Sequence, residues 1–147
     1  MIKKYSLVLL ACLLVGTLSA QAVTRDIDKS FAAKEEVNVQ QSHGPLTVEP
    51  SPNGKVRVVV RMSVEADDKA EAETFLTQLE AELRESGDRL DVTVGYPAIK
   101  SWNQNNRTTR VVFKDGTRVK NIRDFKLETT LYLPETDRLG LKIRFND

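Results

Sequence analysis

This sequence contains few residues of the types that catalyse reactions or bind metals, and those few are not spaced as an active site or a metal site would require. His43 is the single histidine, and metal binding or acid–base catalysis would require partner residues. It stands in a turn beside Gly44 and Pro45, which favours a surface turn residue. No nucleophile-elbow motif and no EF-hand calcium loop occurs. We therefore expect no enzyme activity, no metal site and no cofactor.

The single tryptophan lies in an asparagine-rich segment, SWNQNNR, within a predicted polar loop over 97–110. An exposed tryptophan can stack on a sugar ring while neighbouring amides bond its hydroxyls. The alternative is a tryptophan that folds back on the core edge, with asparagines that only shape the loop. We favour this alternative, but a glycan contact is expected here before anywhere else. The candidate ligand residues are Trp102, Asn103, Asn105, Asn106 and Arg107.

Charge is segregated along the chain. Glu65 to Asp91 holds ten acidic and three basic residues, whereas Lys100 to Lys126 holds eight basic and two acidic residues. The basic run could bind anionic envelope polymers or lipid headgroups. We favour the alternative, a solvated helix face and a solvated hairpin that attract each other. The candidate basic patch is Arg110, Arg118 and Lys120.

The N-terminal segment, residues 1–22, has the form of a secretory signal peptide. Two lysines precede an apolar run, LVLLACLLVGTL, and AQA has the small-x-small form of a cleavage site. The run is shorter than the ~20 residues of a membrane span. We therefore expect an exported chain without an integral membrane span, located in the periplasm, secreted or associated with the outer envelope. The alternative is a lipoprotein anchored through Cys12, because LLAC resembles a lipobox.

The exported chain, 23–147, is expected to be one domain. Loss of Lys3 and Lys4 lowers the basic count from 22 to 20, against 21 acidic residues. This near-neutral balance predicts no nucleic-acid partner. Without Cys12 the chain has no cysteine, so it must fold through an apolar core and not through disulfides.

Alternation of apolar and polar residues predicts several half-buried strands. They cover 37–48 with a turn at 42–45, then 55–64, 90–96, 110–120, 125–133 and 139–145. Residues 110–120 form a predicted hairpin whose three-residue loop, 114–116, places Val111 opposite Val119. The lead-in, 23–35, is polar and weakly patterned.

One segment changes to helical periodicity. Apolar residues recur at Ala72, Phe75, Leu76, Leu79 and Leu83. Asp68 can cap the helix with Glu71 in a capping box, and Gly87 is a suitable stop. We expect a helix over about 68–86 that packs on the apolar face of antiparallel, largely one-sided sheets. The predicted class is therefore mainly β (α+β).

The segment RLGLKIRFND, 138–147, alternates like a final strand and ends in a turn signal. Its spacing matches that of 35–48, with Val37 equivalent to Leu139, but the continuation of the first copy has no counterpart. We expect its apolar side chains to lie in the core and its edge to be unpaired. The candidate pairing edge is Leu139, Leu141, Ile143 and Phe145.

The order of these segments resembles the N-terminal part of the DUF4097 family, adhesin-type, β-solenoid-like proteins of bacterial envelopes. The resemblance covers roughly 30–147 and includes VRVVVRMSVEA, AEAETFLTQLEAEL, GDRLDVTVGYP and TLYLPETDRLGLKIRFND. It implies the cap-like start of a β-solenoid architecture and no catalytic residues. The chain departs from the family where F-G-D-V/I and further strands normally follow. Its basic hairpin, 110–123, is also longer than usual.

These observations predict a non-enzymatic secreted or envelope-associated binding module, adhesin-like, with an envelope glycan or another envelope protein as partner. The alternative is a structural stub or truncated product whose terminal strand pairs with another chain by β-augmentation. A periplasmic enzyme or inhibitor has no motif behind it.

Overall fold

The fold consists of two β-sheets and one helix, described by a computed structural model over residues 21–96, 98–105, 107–136 and 138–145. Apart from its last two residues, the predicted signal peptide lies outside this part of the chain, as does Cys12. The elements are β1 (Gln21–Phe31), β2 (Glu36–Gln41), β3 (Leu46–Pro50), β4 (Val56–Ala66), α1 (Lys69–Gln78), β5 (Glu80–Ser86), β6 (Arg89–Gly95), β7 (Ile99–Asn105), β8 (Thr108–Phe113), β9 (Arg118–Leu133) and β10 (Gly140–Phe145).

The larger sheet has the order β1-β4-β9-β8-β7, with β3 beside the C-terminal part of β9, and the smaller sheet has the order β10-β2-β6-β5. Most neighbours are antiparallel, and the predicted class, mainly β with one helix, is confirmed. Three pairs are parallel: β3 with β9, β2 with β6, and β10 with β2. Alternation does not distinguish the two arrangements, because in both successive side chains point to opposite faces.

β4 supplies the centre of the core. Every inward position from Val56 to Ala66 is 0% exposed. Valine suits these positions because β-branched side chains pack well on a pleated surface, and each buried valine stabilises the fold by about 1.5–3 kcal/mol. Buried residues of both sheets and of α1 form one hydrophobic cluster.

The helix is shorter than predicted. Asp68 caps its start by accepting a backbone hydrogen bond at 2.9 Å, but α1 ends at Gln78. Residues 80–86, predicted as its second half, form β5 and pair antiparallel with β6. Their apolar side chains fit a strand pattern as well as a helical one, and pairing with β6 decides the outcome. Gly87, at φ +57°, turns β5 into β6 and does not end the helix.

Two segments predicted to be irregular are strands. β1 lies in the polar lead-in and pairs with β4 over its whole length. Val23, Ile27 and Phe31 face inward, but Arg25 and Lys29 occupy the inward positions between them and hide the alternation. β7 occupies the middle of the predicted polar loop, 97–110, and pairs with β8, so Asn103 and Asn105 lie along an edge strand.

The β8–β9 hairpin has the predicted register. Val111 lies opposite Val119, and Gly116 adopts φ +94°, as the third position of this loop requires. The two strands predicted after the loop are one, β9. A bulge near Asn121, at φ +59°, interrupts it, and the register with both neighbouring strands shifts there.

A buried amide organises the turn from β2 to β3. Gln41 is 0% exposed, and its Nε2 donates to the carbonyls of His43, Gly44 and Pro45 at 2.9 to 3.1 Å. Gly44 adopts φ +83°, and a Cβ there would overlap the carbonyl oxygen of Leu127. Glycine is therefore required where this turn carries the chain from the smaller sheet to the larger.

Candidate functional site

The described strands leave one end of the two sheets uncovered. β10 is the last strand of the smaller sheet, beyond β2, and β3 borders the larger sheet, beyond β9. Short connections join β2 to β3 and β9 to β10, so both edges lie at the same end of the molecule. We call β3 and β10 together the open end.

Inward-facing side chains at the open end are exposed. The exposed fractions are 43% for Val48, 37% for Leu141, 37% for Ile143 and 63% for Phe145. In the smaller sheet the register forms two rows across β6, β2 and β10: Leu90, Val37, Leu141 and Val92, Val39, Ile143. The first two members of each row are buried and the third is not, because no described strand lies beyond β10.

The structure corrects the sequence prediction for β10 in two respects. Its apolar side chains were expected in the core, but only Leu139, just before the strand, packs partly against it. The other three candidate edge residues, Leu141, Ile143 and Phe145, are exposed. The register also places Leu141 beside Val37, two residues away from the equivalence that the spacing suggested.

The outer face of the smaller sheet is polar and forms a cavity of about 430 Å³. β10 contributes Lys142 and Arg144 to its lining. Lys142 Nζ lies 3.7 Å from Glu36 Oε1 on β2. β10 is therefore apolar on its inner face and cationic on its outer face.

Trp102 belongs to a partly exposed group of rings that we call the aromatic surface: His43, Tyr96, Trp102 and Phe125. Trp102 is 41% exposed, and its ring centroid lies 5.7 Å from that of Phe125 and 6.4 Å from that of Tyr96. The centroid of the His43 ring lies 4.6 Å from that of Phe125, with the two ring planes tilted by 34°. Trp102 therefore packs on the edge of the core, and part of its ring remains accessible to solvent.

The candidate ligand residues around Trp102 face two ways. Trp102 lies opposite the buried Val111, whereas Asn103 lies opposite the exposed Arg110. Neighbouring residues in a strand point to opposite faces. A ligand on the exposed ring of Trp102 therefore does not reach the Asn103 side chain through the sheet.

Asn103 and Asn105 instead lie beside two of the three predicted basic-patch residues, Arg110 and Lys120. A cavity of about 450 Å³ near the β7–β8 turn is lined by Asn103, Gln104, Asn105, Thr108, Thr109, Arg110, Lys120 and Asn121. Arg118, the third patch residue, lies opposite Val112 and does not line the cavity. Arg107 is exposed in the turn, and Asn106 lies outside the described residues.

The acidic and basic runs meet beside α1. The Arg123 guanidinium pairs with the Asp67 carboxylate. Glu71 Oε2 accepts a hydrogen bond from the backbone N–H of Lys120 at 3.2 Å. These contacts favour the interpretation in which the two runs attract each other, and Glu71 serves this contact instead of a capping box.

The pKa shifts in the described part of the chain have local structural causes. Hydrogen bonds from the Arg57 guanidinium lower the pKa of Asp28, and the same pair raises the pKa of Arg57. The backbone N–H of Thr117 lowers the pKa of Asp115 in the hairpin loop. Among the residues that the structure describes, no group of three or more His, Cys, Asp or Glu side chains could hold a metal ion.

Comparisons with known proteins do not place the chain in a family. No family model, curated protein or solved structure matches it. Within the described ranges, no helix is both long enough and apolar enough to cross a membrane. A function must therefore be inferred from the surfaces described above: the open end, the aromatic surface and the two polar cavities.

Proposed function

We propose that this protein is an exported, non-enzymatic binding module of the cell envelope, of the DUF4097 type, that accepts an extended strand from another protein at the open end. The observation that carries the proposal is the exposure of Val48, Leu141, Ile143 and Phe145 in positions that face the core. An edge strand offers unpaired backbone groups, and apolar pockets beside it select alternate side chains of an added strand.

The parallel order of β6, β2 and β10 supports the solenoid-like part of the proposal. Each of these strands repeats the same inward positions one step further from the centre of the sheet. In stacked architectures each unit buries its apolar face on the next one. An added strand would cover β10 as β10 covers β2.

Hydrogen exchange tests strand addition directly. A synthetic peptide of alternating apolar and polar residues should slow amide exchange in β10 or β3, because its backbone would pair with theirs. Amides of β1 and β5, the edges at the opposite end, should keep their rates. Unchanged exchange at β3 and β10 with saturating peptide would contradict the proposal.

A matched pair of variants makes the test specific. Ile143→Glu places a charge on the exposed inner face of β10 and should abolish peptide binding. Asn103→Glu adds the same charge to an exposed position on β7, another edge strand, and should leave binding intact. Both side chains are solvent-accessible, so both variants are expected to fold.

Export has its own readout in the mature N-terminus. Mass spectrometry of the protein isolated from the envelope should find a chain that begins at Val23. Cleavage there removes Gln21 and Ala22 from β1 and leaves Val23–Phe31 paired with β4. A lipid-modified Cys12 would favour the lipoprotein alternative, and retention in the cytoplasm would contradict export.

A second candidate function, glycan binding, is favoured by the exposure of Trp102 on the aromatic surface. A sugar ring could stack on the accessible part of the indole, which Phe125 and Tyr96 hold in place. Envelope polysaccharide should then shift the fluorescence of this single tryptophan. Calorimetry should show binding lost in Trp102→Ala and retained in Asn103→Ala, whose side chain points to the other face.

A further inference from the structure

We infer that the strand accepted at the open end alternates apolar residues with Asp or Glu, carries the acidic residues on its outer face, and belongs to a different protein. The inference rests on the proposed function, because it concerns a strand added beside β10. It adds the chemistry of that strand and excludes a second copy of the chain.

Charges on the outer face of the smaller sheet lie in rows across the strands. The rows are Lys142, Asn38, Asp91, Arg84 and Arg144, Gln40, Thr93, Glu82. Inside the sheet each charge has an opposite charge nearby. Asp91 Oδ2 lies 3.2 Å from Arg89, and Glu82 Oε1 lies 2.7 Å from Arg84.

Both rows end at β10 in a cation. Lys142 is 74% exposed, and Glu36 is the carboxylate that approaches it, at 3.7 Å. In the register with β2, an amide lies directly behind each cation: Asn38 behind Lys142 and Gln40 behind Arg144. The free side of β10 is therefore where a carboxylate would complete each row, because directly opposed charges of opposite sign stabilise paired strands and like charges destabilise them.

A second copy of the chain fits this edge poorly. A two-fold symmetric contact would pair β10 antiparallel with itself. Outer-face side chains of the two copies would then lie opposite one another. Depending on the register, Lys142 of one copy would face Arg144, Lys142 or Gly140 of the other, and Arg144 would face Lys142, Arg144 or Gly140. At least the cation-to-cation pairings are repulsive. The edge thus favours an acidic partner over self-association.

Three peptides of equal length separate the possibilities. One alternates valine with glutamate, one valine with lysine, and one valine with glutamine. At low salt the glutamate peptide should bind about tenfold more tightly than the lysine peptide, from two cross-strand charge pairs. The difference should shrink near 1 M salt, where charges are screened beyond about 3 Å.

Charge reversal on β10 should invert the order of affinities. The Lys142→Glu/Arg144→Glu variant is expected to bind the lysine peptide more tightly than the glutamate peptide. Arg118→Glu/Lys120→Glu makes the same change in net charge on the exposed side of the β8–β9 hairpin. This control should keep the wild-type preference, which separates a local effect from one of net charge.

Failure of the inference and failure of the proposed function have different signatures. If no peptide binds and β3 and β10 remain unprotected, strand addition itself is wrong. If the three peptides bind equally at low salt, or the β10 reversal leaves the preference unchanged, strand addition stands and the charge inference is overturned. Sedimentation that finds wild-type self-association, lost in Ile143→Glu, would make a second copy the occupant and also overturn it.

Discussion

The two ends of the sheets treat their last strands differently. At one end lie β1 and β5, with α1 against β1 and β4; we call this the closed end. β1 carries Arg25 and Lys29 among its inward positions, and Arg25 reaches the carbonyl oxygen of Leu79 at 3.4 Å. Inward-pointing charges protect an edge strand from further pairing. β10, at the open end, has only apolar side chains on its inner face: Leu141, Ile143 and Phe145.

A second contact strengthens the closed end. Lys34 is 8% exposed, and its Nζ donates to the carbonyl of Gly87 at 2.9 Å and lies 3.3 Å from the Glu85 carboxylate. This buried cation ties the chain after β1 to the end of β5. The closed end shows that charged side chains can protect an edge strand in this fold. The unprotected apolar face of β10 therefore requires an explanation.

Phenylalanine truncation should show the largest difference between the ends. Phe75 of α1 is 0% exposed, and its ring centroid lies 5.0 Å from that of Phe125. Phe75→Ala should lower the free energy of unfolding by about 3–5 kcal/mol. Phe145→Ala, at 63% exposure, should change it by less than about 0.5 kcal/mol. Urea unfolding measures both, and a large loss in Phe145→Ala would mean that β10 is buried in solution.

The turn that begins β3 should be nearly as sensitive. Gly44→Ala meets both a left-handed backbone and the carbonyl of Leu127, so it should cost more than the ~1–2 kcal/mol of a left-handed alanine alone. Gly116→Ala is the control, because φ is +94° but nothing lies within 4 Å of the added Cβ. Equal decreases in melting temperature in the two variants would show that β3 is not held against β9.

The sequence predicted the parts of the fold whose local pattern agrees with their tertiary role. The β8–β9 hairpin was predicted to its register, because Gly116 has a conformation that few other residues adopt. β5 was missed because EAELRES consists largely of good helix formers, and pairing with β6 overrides that preference. β1 was missed because its guarding charges, Arg25 and Lys29, break the alternation.

The residues of the open end and of the aromatic surface could be predicted only in part, because local pattern does not show which strands lie side by side. The candidate residues at 139–145 were named from alternation, but their exposure depends on which strands exist beyond them. Val48 has no distinguishing local signal, and only the parallel pairing of β3 with β9 places it at the same end. The grouping of His43 with Trp102 joins residues far apart in sequence, and no short-range pattern carries it.

Removal of the inward-pointing charges of β1 should make the closed end resemble the open end. Arg25→Leu/Lys29→Val replaces both inward charges of β1 with apolar side chains. We expect concentration-dependent association stronger than that of the wild-type chain, because the edge would then present an uninterrupted apolar face. Analytical ultracentrifugation across a range of concentrations measures it. A double variant as monomeric as the wild type would mean that the charges do not protect this edge.

The smallest expected effect is an acid-dependent contribution of the ion pair that joins β1 to β4. Arg57 donates to both carboxylate oxygens of Asp28, at 2.9 and 2.6 Å, and these bonds hold the pKa of Asp28 below its ordinary value of 3.8. A lowered native pKa stabilises the fold above the ordinary pKa, and this stabilisation is lost as the pH falls through the lowered value. Asp28→Asn should therefore unfold less steeply with acid than the wild type below about pH 4. Since both side chains are about half exposed, at 50% and 47%, solvent screens the pair and its effect at neutral pH should be small. Asp26→Asn, on the same strand and face, is the control. If it reduces the loss of stability in acid equally, the effect comes from the change in net charge and not from the Asp28–Arg57 pair.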